Sequence, residues 1–196
     1  MDPADPHAEH GRQVSVVVPV FNEAESLTTL AAEINAAAMS AGAQYEIIFV
    51  NDGSKDGSSE VISAIAERAP HVRVIEFRRN FGKAAALDAG FRAATGDVVI
   101  TMDADLQDEK LDQGVDGVSG RKARRLDPVD KTAPSKVFKR AVSRFSGVRL
   151  NDFNCGFKAY RREAIADLHL YGELHRFIPV LLHWRGYRIG EISVHN

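Results

Sequence analysis

Val14-Ser15-Val16-Val17-Val18-Pro19-Val20 runs straight into Phe21-Asn22-Glu23, and the reading of this stretch decides the fold class. The run is β-branched without polar alternation, the pattern of a strand buried on both faces of a parallel sheet. The signal recurs at Glu46–Val50, Val72–Phe77 and Asp97–Met102. Between these runs the apolar period changes to that of a helix. After Asn22, the stripe Leu27, Leu30, Ala31, Ile34 and Ala38 predicts a helix that Gly42 ends, with Asn22 and Glu25 as its capping pair. Val61, Ile62, Ile65 and Ala66 mark a second helix closed before Pro70, and Ala84–Ala94 a third closed by Gly96. Strand and helix in strict alternation predict an α/β fold with a doubly wound, mostly parallel central sheet flanked by helices.

Right-handed crossovers in such a sheet bring the carboxyl ends of the strands to one edge, where ligands bind near a switch in strand order. Three polar clusters fall at those ends: Phe21-Asn22-Glu23, Asn51-Asp52-Gly53-Ser54 and Asp103-Ala104-Asp105-Leu106-Gln107. Asp103 and Asp105 point the same way if strand geometry persists, and two unpaired carboxylates repel. A divalent cation or a basic partner is therefore expected between them, and oxygen ligands favour Mg²⁺ or Mn²⁺. Asn51–Ser54 reads equally as a plain turn or as a carboxylate for a base or ribose beside a glycine of close approach. Pro19–Glu23 reads equally as a helix start or as an aromatic ring and carboxylate for a nucleoside. No G-x-G-x-x-G or G-x-x-x-x-G-K-[ST] follows a strand, which argues against dinucleotide and P-loop sites.

With 196 residues, 44% of them hydrophobic and 27% charged, the chain is sized for one globular domain. Residues 1–12, polar and without an apolar core, are expected to be a disordered leader rather than a signal peptide, with His7 and His10 as solvated tail residues. The single cysteine, Cys155, excludes an intramolecular disulfide and a cysteine-based zinc cluster. No apolar run approaches the roughly 18–20 residues that span a bilayer. The net charge of −2 gives no indication of nucleic-acid binding, yet residues 121–162 hold thirteen Lys/Arg against three Asp/Glu. Arg121–Arg125 is expected to be an exposed basic loop. Ser135–Phe145 is expected to be a basic amphipathic helix, either an ordinary surface helix or one lying at an anionic membrane surface.

Val18-Pro19-Val20-Phe21-Asn22-Glu23, residues 50–58 (Val-Asn-Asp-Gly-Ser-Lys-Asp-Gly-Ser) and 102–108 (Met-Asp-Ala-Asp-Leu-Gln-Asp) resemble hallmark segments of family two glycosyltransferases, as do Asn80-Phe81-Gly82-Lys83 and Gly96-Asp97. Asn151–Tyr160 and Leu174–Pro179 resemble the polyprenyl-phosphate branch, the relatives of dolichol-phosphate mannosyltransferase. The resemblance covers nearly the whole chain from residue 13. It implies a single GT-A catalytic domain over 13–196, with a nucleotide-binding part (13–108) and an acceptor-side part (109–196). It also implies a UDP- or GDP-linked sugar donor, Mg²⁺ or Mn²⁺, and a polyprenyl-phosphate acceptor. The site residues carry over by motif: Pro19, Phe21, Glu23 and Asp52 would hold the nucleoside, Asp103 and Ala104 would lie along the nucleotide, and Asp105 and Gln107 would ligate the metal.

The family reaction inverts the anomeric centre in one displacement and makes polyprenyl-phosphate-sugar. An attacking phosphate monoester has a second pKa of about 6, so it is largely ionised at neutral pH and needs little help from a base. Asp152 is the candidate base or acceptor-orienting group, with a structural turn aspartate as the equal alternative. Arg121, Lys122 and Arg124 would stand near the diphosphate and Arg176 near the acceptor phosphate, while His175 reads as structural. Cys155 reads as a packed residue.

Three departures from the family pattern bear on this. Glu109 runs directly into Lys110-Leu111-Asp112-Gln113-Gly114, where relatives carry a longer segment that begins a helix. Arg121 stands where a tryptophan is common, and Asn196 ends the chain where relatives continue into a basic loop and often membrane helices. The expected setting is thus the cytoplasmic face of a membrane, with the C-terminal anchor missing from this chain and a homo-oligomer compatible with it. The rival readings are a nucleotide-sugar-binding module without turnover and a glycosyltransferase acting on a polysaccharide.

Overall fold

The structure, a computed structural model, describes residues 13–104, 117–122 and 157–194, with the backbone path alone for 117–122 and 191–194. Strand β1 (Gln13–Val20) leads through α1 (Ala24–Ala41) to β2 (Gln44–Asn51), and α2 (Ser58–Arg68) leads to β3 (Val72–Glu76). Helix α3 (Lys83–Ala93) then carries the chain back to β4 (Val98–Thr101). Four of the predicted strands and all three predicted helices of the first hundred residues are therefore present, with ends moved by one or two positions.

The second half contributes more sheet than its sequence pattern predicts. It holds β5 (Gly117–Lys122), β6 (Lys158–Arg161), a short α4 (Arg162–Ile165), a 3₁₀ turn (Leu174–Phe177), α5 (Ile178–Trp184) and β7 (Ile189–Val194). The described strands form one sheet in the order β3-β2-β1-β4-β6-β5-β7. Strands β1 to β4 are mutually parallel, from Gln13 opposite Gln44 to Val17 opposite Thr101, and β6 runs antiparallel to both β4 and β5. Arg121 and Lys122 thus belong to a strand paired with Ser193 and Val194 of β7, not to the exposed loop predicted from their charge. A short strand with glycine at two of its six positions carries little apolar signal, so its pairing is a property of the assembled sheet.

Helices cover both faces, which explains why β1 lacks polar alternation. Val16, Val18 and Val20 pack with Ile47 and Phe49 against Leu27, Leu30 and Ile34 of α1 and Ile62 of α2. On the other face Val17, Ile48, Val50 and Val99 pack against Ala84, Ala86, Leu87 and Phe91 of α3, and against Ile165, Ile178 and Leu182. Each such side chain contributes about 1.5–3 kcal/mol by leaving water, so both faces anchor the strand. Helix α3 presses on β1 through Gly90, where an added Cβ would stand 2.3 Å from Val17 Cγ1.

At the amino edge of the sheet the buried carboxylate of Glu46 ties four segments together. Its Oε1 accepts hydrogen bonds from Ser15 Oγ (2.6 Å), Thr95 N (2.8 Å) and Thr95 Oγ1 (2.7 Å), and Oε2 accepts one from Arg73 (3.0 Å). Burial pushes this carboxyl up, and the bonds from Ser15, Thr95 and Arg73 outweigh it, bringing the pKa down to about 2. The edge opposite to the candidate site is thereby closed.

Candidate functional site

The strand order reverses between β1 and β4: the chain steps outward from β1 to β2 and β3, then returns to the far side of β1. Loops leaving β1 and β4 diverge from that point and leave a crevice at the carboxyl edge.

The loop after β1 is shaped by its neighbour after β2. Asn22 takes a left-handed conformation (φ 58°). Its N–H donates to Ser54 Oγ (3.0 Å) and its Oδ1 accepts from Lys55 N (2.9 Å). The capping pair predicted from Asn22 and Glu25 is therefore not formed; the N-cap residue of α1 is Glu23, with no side-chain cap of its own. The amides at the start of α1 are satisfied across the sheet instead. Glu23 N donates to Ser58 Oγ (3.1 Å) and Ala24 N to Asp56 Oδ2 (3.0 Å). The bond from Ala24, with those from Ser58, holds the Asp56 carboxyl below its ordinary value. Asn22 is spent on this latch, which leaves Phe21 half-exposed at the mouth of the crevice.

Asp52 continues the latch inward. It is 3% exposed, yet its carboxylate is not isolated: Oδ1 accepts from Phe81 N (2.6 Å) and Oδ2 from Gly82 N (2.8 Å). The next residue, Gly53, has φ 71°, and a Cβ there would meet the carbonyl carbon of Arg79 at 2.5 Å. Only glycine lets these two backbones touch. The loop after β3 is thus pinned by the end of β2, and it carries Asn80, an exposed Phe81 with the Arg79 guanidinium 4.6 Å above its ring, and Lys83 as the first residue of α3. Lys83 Nζ pairs with Asp103 Oδ1 beyond the end of β4, closing the ring of contacts.

These segments enclose a cavity of about 290 Å³. Pro19, Phe21, Glu23, Asp52, Asp103 and Ala104, six of the predicted site residues, all line it. Asn80, Gly82, Lys83, Val20 and Ala86 complete the wall. Asn80 and Lys83 carry the polar chemistry that the sequence reading left without a role. Their signal was available: they follow β3, a fourth strand end at the same edge, in the quoted segment Asn80–Lys83. An aromatic ring, three carboxylates and one ammonium around a crevice suit a ligand that combines a flat ring, hydroxyl donors and an anionic group.

Arg121 and Lys122 end β5, which is parallel to β4, so their backbone reaches the same edge with β6 between. Arg176, in the 3₁₀ turn, is exposed, pairs with Glu173 at 3.1 Å and is not part of the cavity wall. Its neighbour His175 is half-buried, with Nδ1 lacking a hydrogen-bond partner among the described residues. Burial, then the charge of Lys83, lowers its pKa and keeps it neutral at pH 7. Asp105, Gln107, Arg124 and Asp152 fall outside the described residues, as do the short segment after Glu109 and the helix expected at Ser135–Phe145.

A family model described as "Glycosyl transferase family 2" matches residues 15–168. The undecaprenyl-phosphate 4-deoxy-4-formamido-L-arabinose transferase of Shewanella sediminis is 38% identical over 193 residues, covering 93% of this chain and 58% of the relative. The chain thus spans a little under three fifths of the length of that relative. Among solved structures, a mannosyltransferase from Pyrobaculum calidifontis in complex with GDP-Man and Mn²⁺ superposes with a TM-score of 0.67 at 22% identity, covering 96% of this chain and 57% of that one. Glucosyl-3-phosphoglycerate synthase from Mycobacterium tuberculosis in complex with Mn²⁺ and UDP-glucose does so with a TM-score of 0.66 at 21% identity, covering 94% and 70%. The fold is the GT-A fold expected from the sequence.

Proposed function

The chain belongs to glycosyl transferase family 2, and from that premise we propose that it transfers a sugar, with inversion, from a nucleoside-diphosphate sugar to a polyprenyl phosphate. The observation that carries this reading is the convergence of Pro19, Phe21, Glu23, Asp52, Asp103 and Ala104 on one cavity at the switch point. Phe21 would stack on the base at the mouth, Glu23 and Asp52 would accept hydrogen bonds from the base or ribose, and Asp103 with Ala104 would run along the nucleotide. The relative's acceptor, by its name, is undecaprenyl phosphate. This favours a lipid phosphate here over a polysaccharide.

In the displacement, an acceptor phosphate oxygen forms a bond to C1 of the sugar as the bond from C1 to the diphosphate oxygen breaks. The nucleoside diphosphate leaves, carrying the electron pair. Asp152 would orient the acceptor or take its proton, and Arg121, Lys122, Arg124 and Arg176 would offset phosphate charge. Apart from Lys83, the titratable groups of the cavity wall are carboxylates without His or Cys, a set of oxygen ligands whose chemistry suits Mg²⁺ or Mn²⁺. Asp105 and Gln107 would hold the ion, which when bound supplies charge stabilisation for the leaving diphosphate. Among the described residues no helix is long and apolar enough to cross a membrane; the inner membrane face is proposed as the workplace from the lipid nature of the acceptor.

The experiment is transfer of radiolabelled sugar from UDP- and GDP-linked donors to undecaprenyl phosphate, with Mg²⁺ or Mn²⁺ and with EDTA, for the intact chain and Asp105→Ala. Lipid-linked label that disappears with EDTA and in the variant is the expected result. Transfer that persists in EDTA removes the role given to Asp105, and donor binding without any transfer supports a binding module instead.

A further inference from the structure

Lys83 has no role in the reading above, yet it makes the contact that closes the cavity wall. Its ammonium pairs with Asp103 Oδ1, and neither partner is locked in the core: the side chains are 37% and 30% exposed. An ion pair open to solvent on this scale contributes little to stability and exchanges readily. The backbone behind it is rigid by contrast. Gly82, immediately before Lys83, is held by the Asp52 carboxylate at 2.8 Å. A fixed Cα thus carries a long flexible stem with three donors, at the helix end where the backbone dipole is positive.

The donor-free pairing creates an electrostatic difficulty for the proposed donor. A diphosphate laid along Asp103 would face a carboxylate, and like charges at short range repel. We propose that Lys83 is an exchangeable counter-ion: it neutralises Asp103 while the cavity is free, and turns to the diphosphate when the nucleotide enters. Asp103 is then released for ribose hydroxyls or for the cation side of the site. This inference rests on the reading of the cavity as a nucleoside-diphosphate site. It assigns a positioning role to Lys83 and predicts an order of binding. Without nucleotide, Asp103 is already neutralised and attracts a divalent cation weakly, so cation binding follows the nucleotide.

Two measurements on the wild-type chain, Lys83→Met and Lys83→Arg test this. The first is Mn²⁺ binding without nucleotide, read by electron paramagnetic resonance. Removing a unit positive charge beside the acids should tighten it by about tenfold in Lys83→Met and leave Lys83→Arg near wild type. The second is calorimetric binding of UDP, GDP and their parent nucleosides in EDTA. Lys83→Met should weaken the diphosphates by about tenfold and leave the nucleosides within about twofold, and Lys83→Arg should restore the difference. Equal Mn²⁺ affinity in wild type and Lys83→Met overturns the exchange, as does equal diphosphate affinity. If neither UDP nor GDP binds the wild type, the donor-site reading itself falls. Unchanged thermal midpoints across the three proteins exclude misfolding as the cause.

Discussion

Replacing Asp52 by Asn tests whether the cavity wall is assembled by one carboxylate. In the wild type both oxygens are taken by backbone amides, Phe81 N at 2.6 Å and Gly82 N at 2.8 Å, in a residue 3% exposed. The asparagine carbonyl can keep one of these bonds as a neutral one, but its NH₂ then points at the other amide, donor against donor. A hydrogen bond to a charged group contributes about 1.5–3 kcal/mol, and a carboxylate near a helix N-terminus adds about 0.3–1 kcal/mol. Phe81 is exposed, so water can reach part of the loop and return some of that loss. The expected cost is about 2–3 kcal/mol of unfolding free energy, read from urea denaturation at pH 7. A second readout separates the loop from the global fold. Because Asn80, Gly82 and Lys83 enter the wall through this loop, UDP or GDP affinity should fall by at least about tenfold. Asp52→Glu, with its charge retained and its reach altered, should fall between the two proteins. A loss below about 0.5 kcal/mol with unchanged nucleotide affinity would refute the clamp.

Two further outcomes concern the scaffold. Glu46 falls from an ordinary 4.5 to about 2 in the folded chain, so its contribution is fully present above pH 4.5 and is lost as pH falls through about 2. Wild-type stability should therefore drop by about 2–3 kcal/mol more than that of Glu46→Gln between pH 5 and pH 2, measured by urea melts at each pH. Gly90→Ala would gain about 1 kcal/mol in helix propensity and lose about 1–3 kcal/mol by overpacking. The 2.3 Å approach to Val17 Cγ1, a fully buried side chain, decides for the loss. A fall in melting temperature of about 2–6 °C is expected by calorimetry, and a rise would show that the α3–β1 interface has slack.

The ligand edge of this protein is built by loops that hold one another rather than by any one motif. Asn22 binds the segment after β2, Asp52 binds the segment after β3, and Lys83 of that segment binds Asp103 after β4. A substrate entering at the switch point therefore meets four strand ends already in register. Such preorganisation lowers the ordering cost of binding. In the pairing of Lys83 with Asp103 both side chains remain partly exposed, so this contact of the wall is open to exchange.

Much of this was legible in the sequence. The runs at Val14–Val20 and Glu46–Val50, short, rich in β-branched residues and without polar alternation, read as strands buried on both faces. The helical stripes between them determine the crossovers, and the crossovers determine that Phe21, Asp52 and Asp103 share an edge. What the tertiary structure decided is how polar groups of similar local promise are used. Asn22 has the sequence context of a helix cap and becomes a latch on Lys55, because the amides it would have capped find Asp56 and Ser58 across the sheet. Arg121 and Lys122 look like loop and lie in a strand, because Ser193 and Val194 of β7 offer them backbone partners far away in sequence. Local pattern reports which face of an element must leave water. Which donor meets which acceptor depends on distances between segments some thirty residues apart, as between Asp52 and Phe81, and those exist only once the sheet has closed.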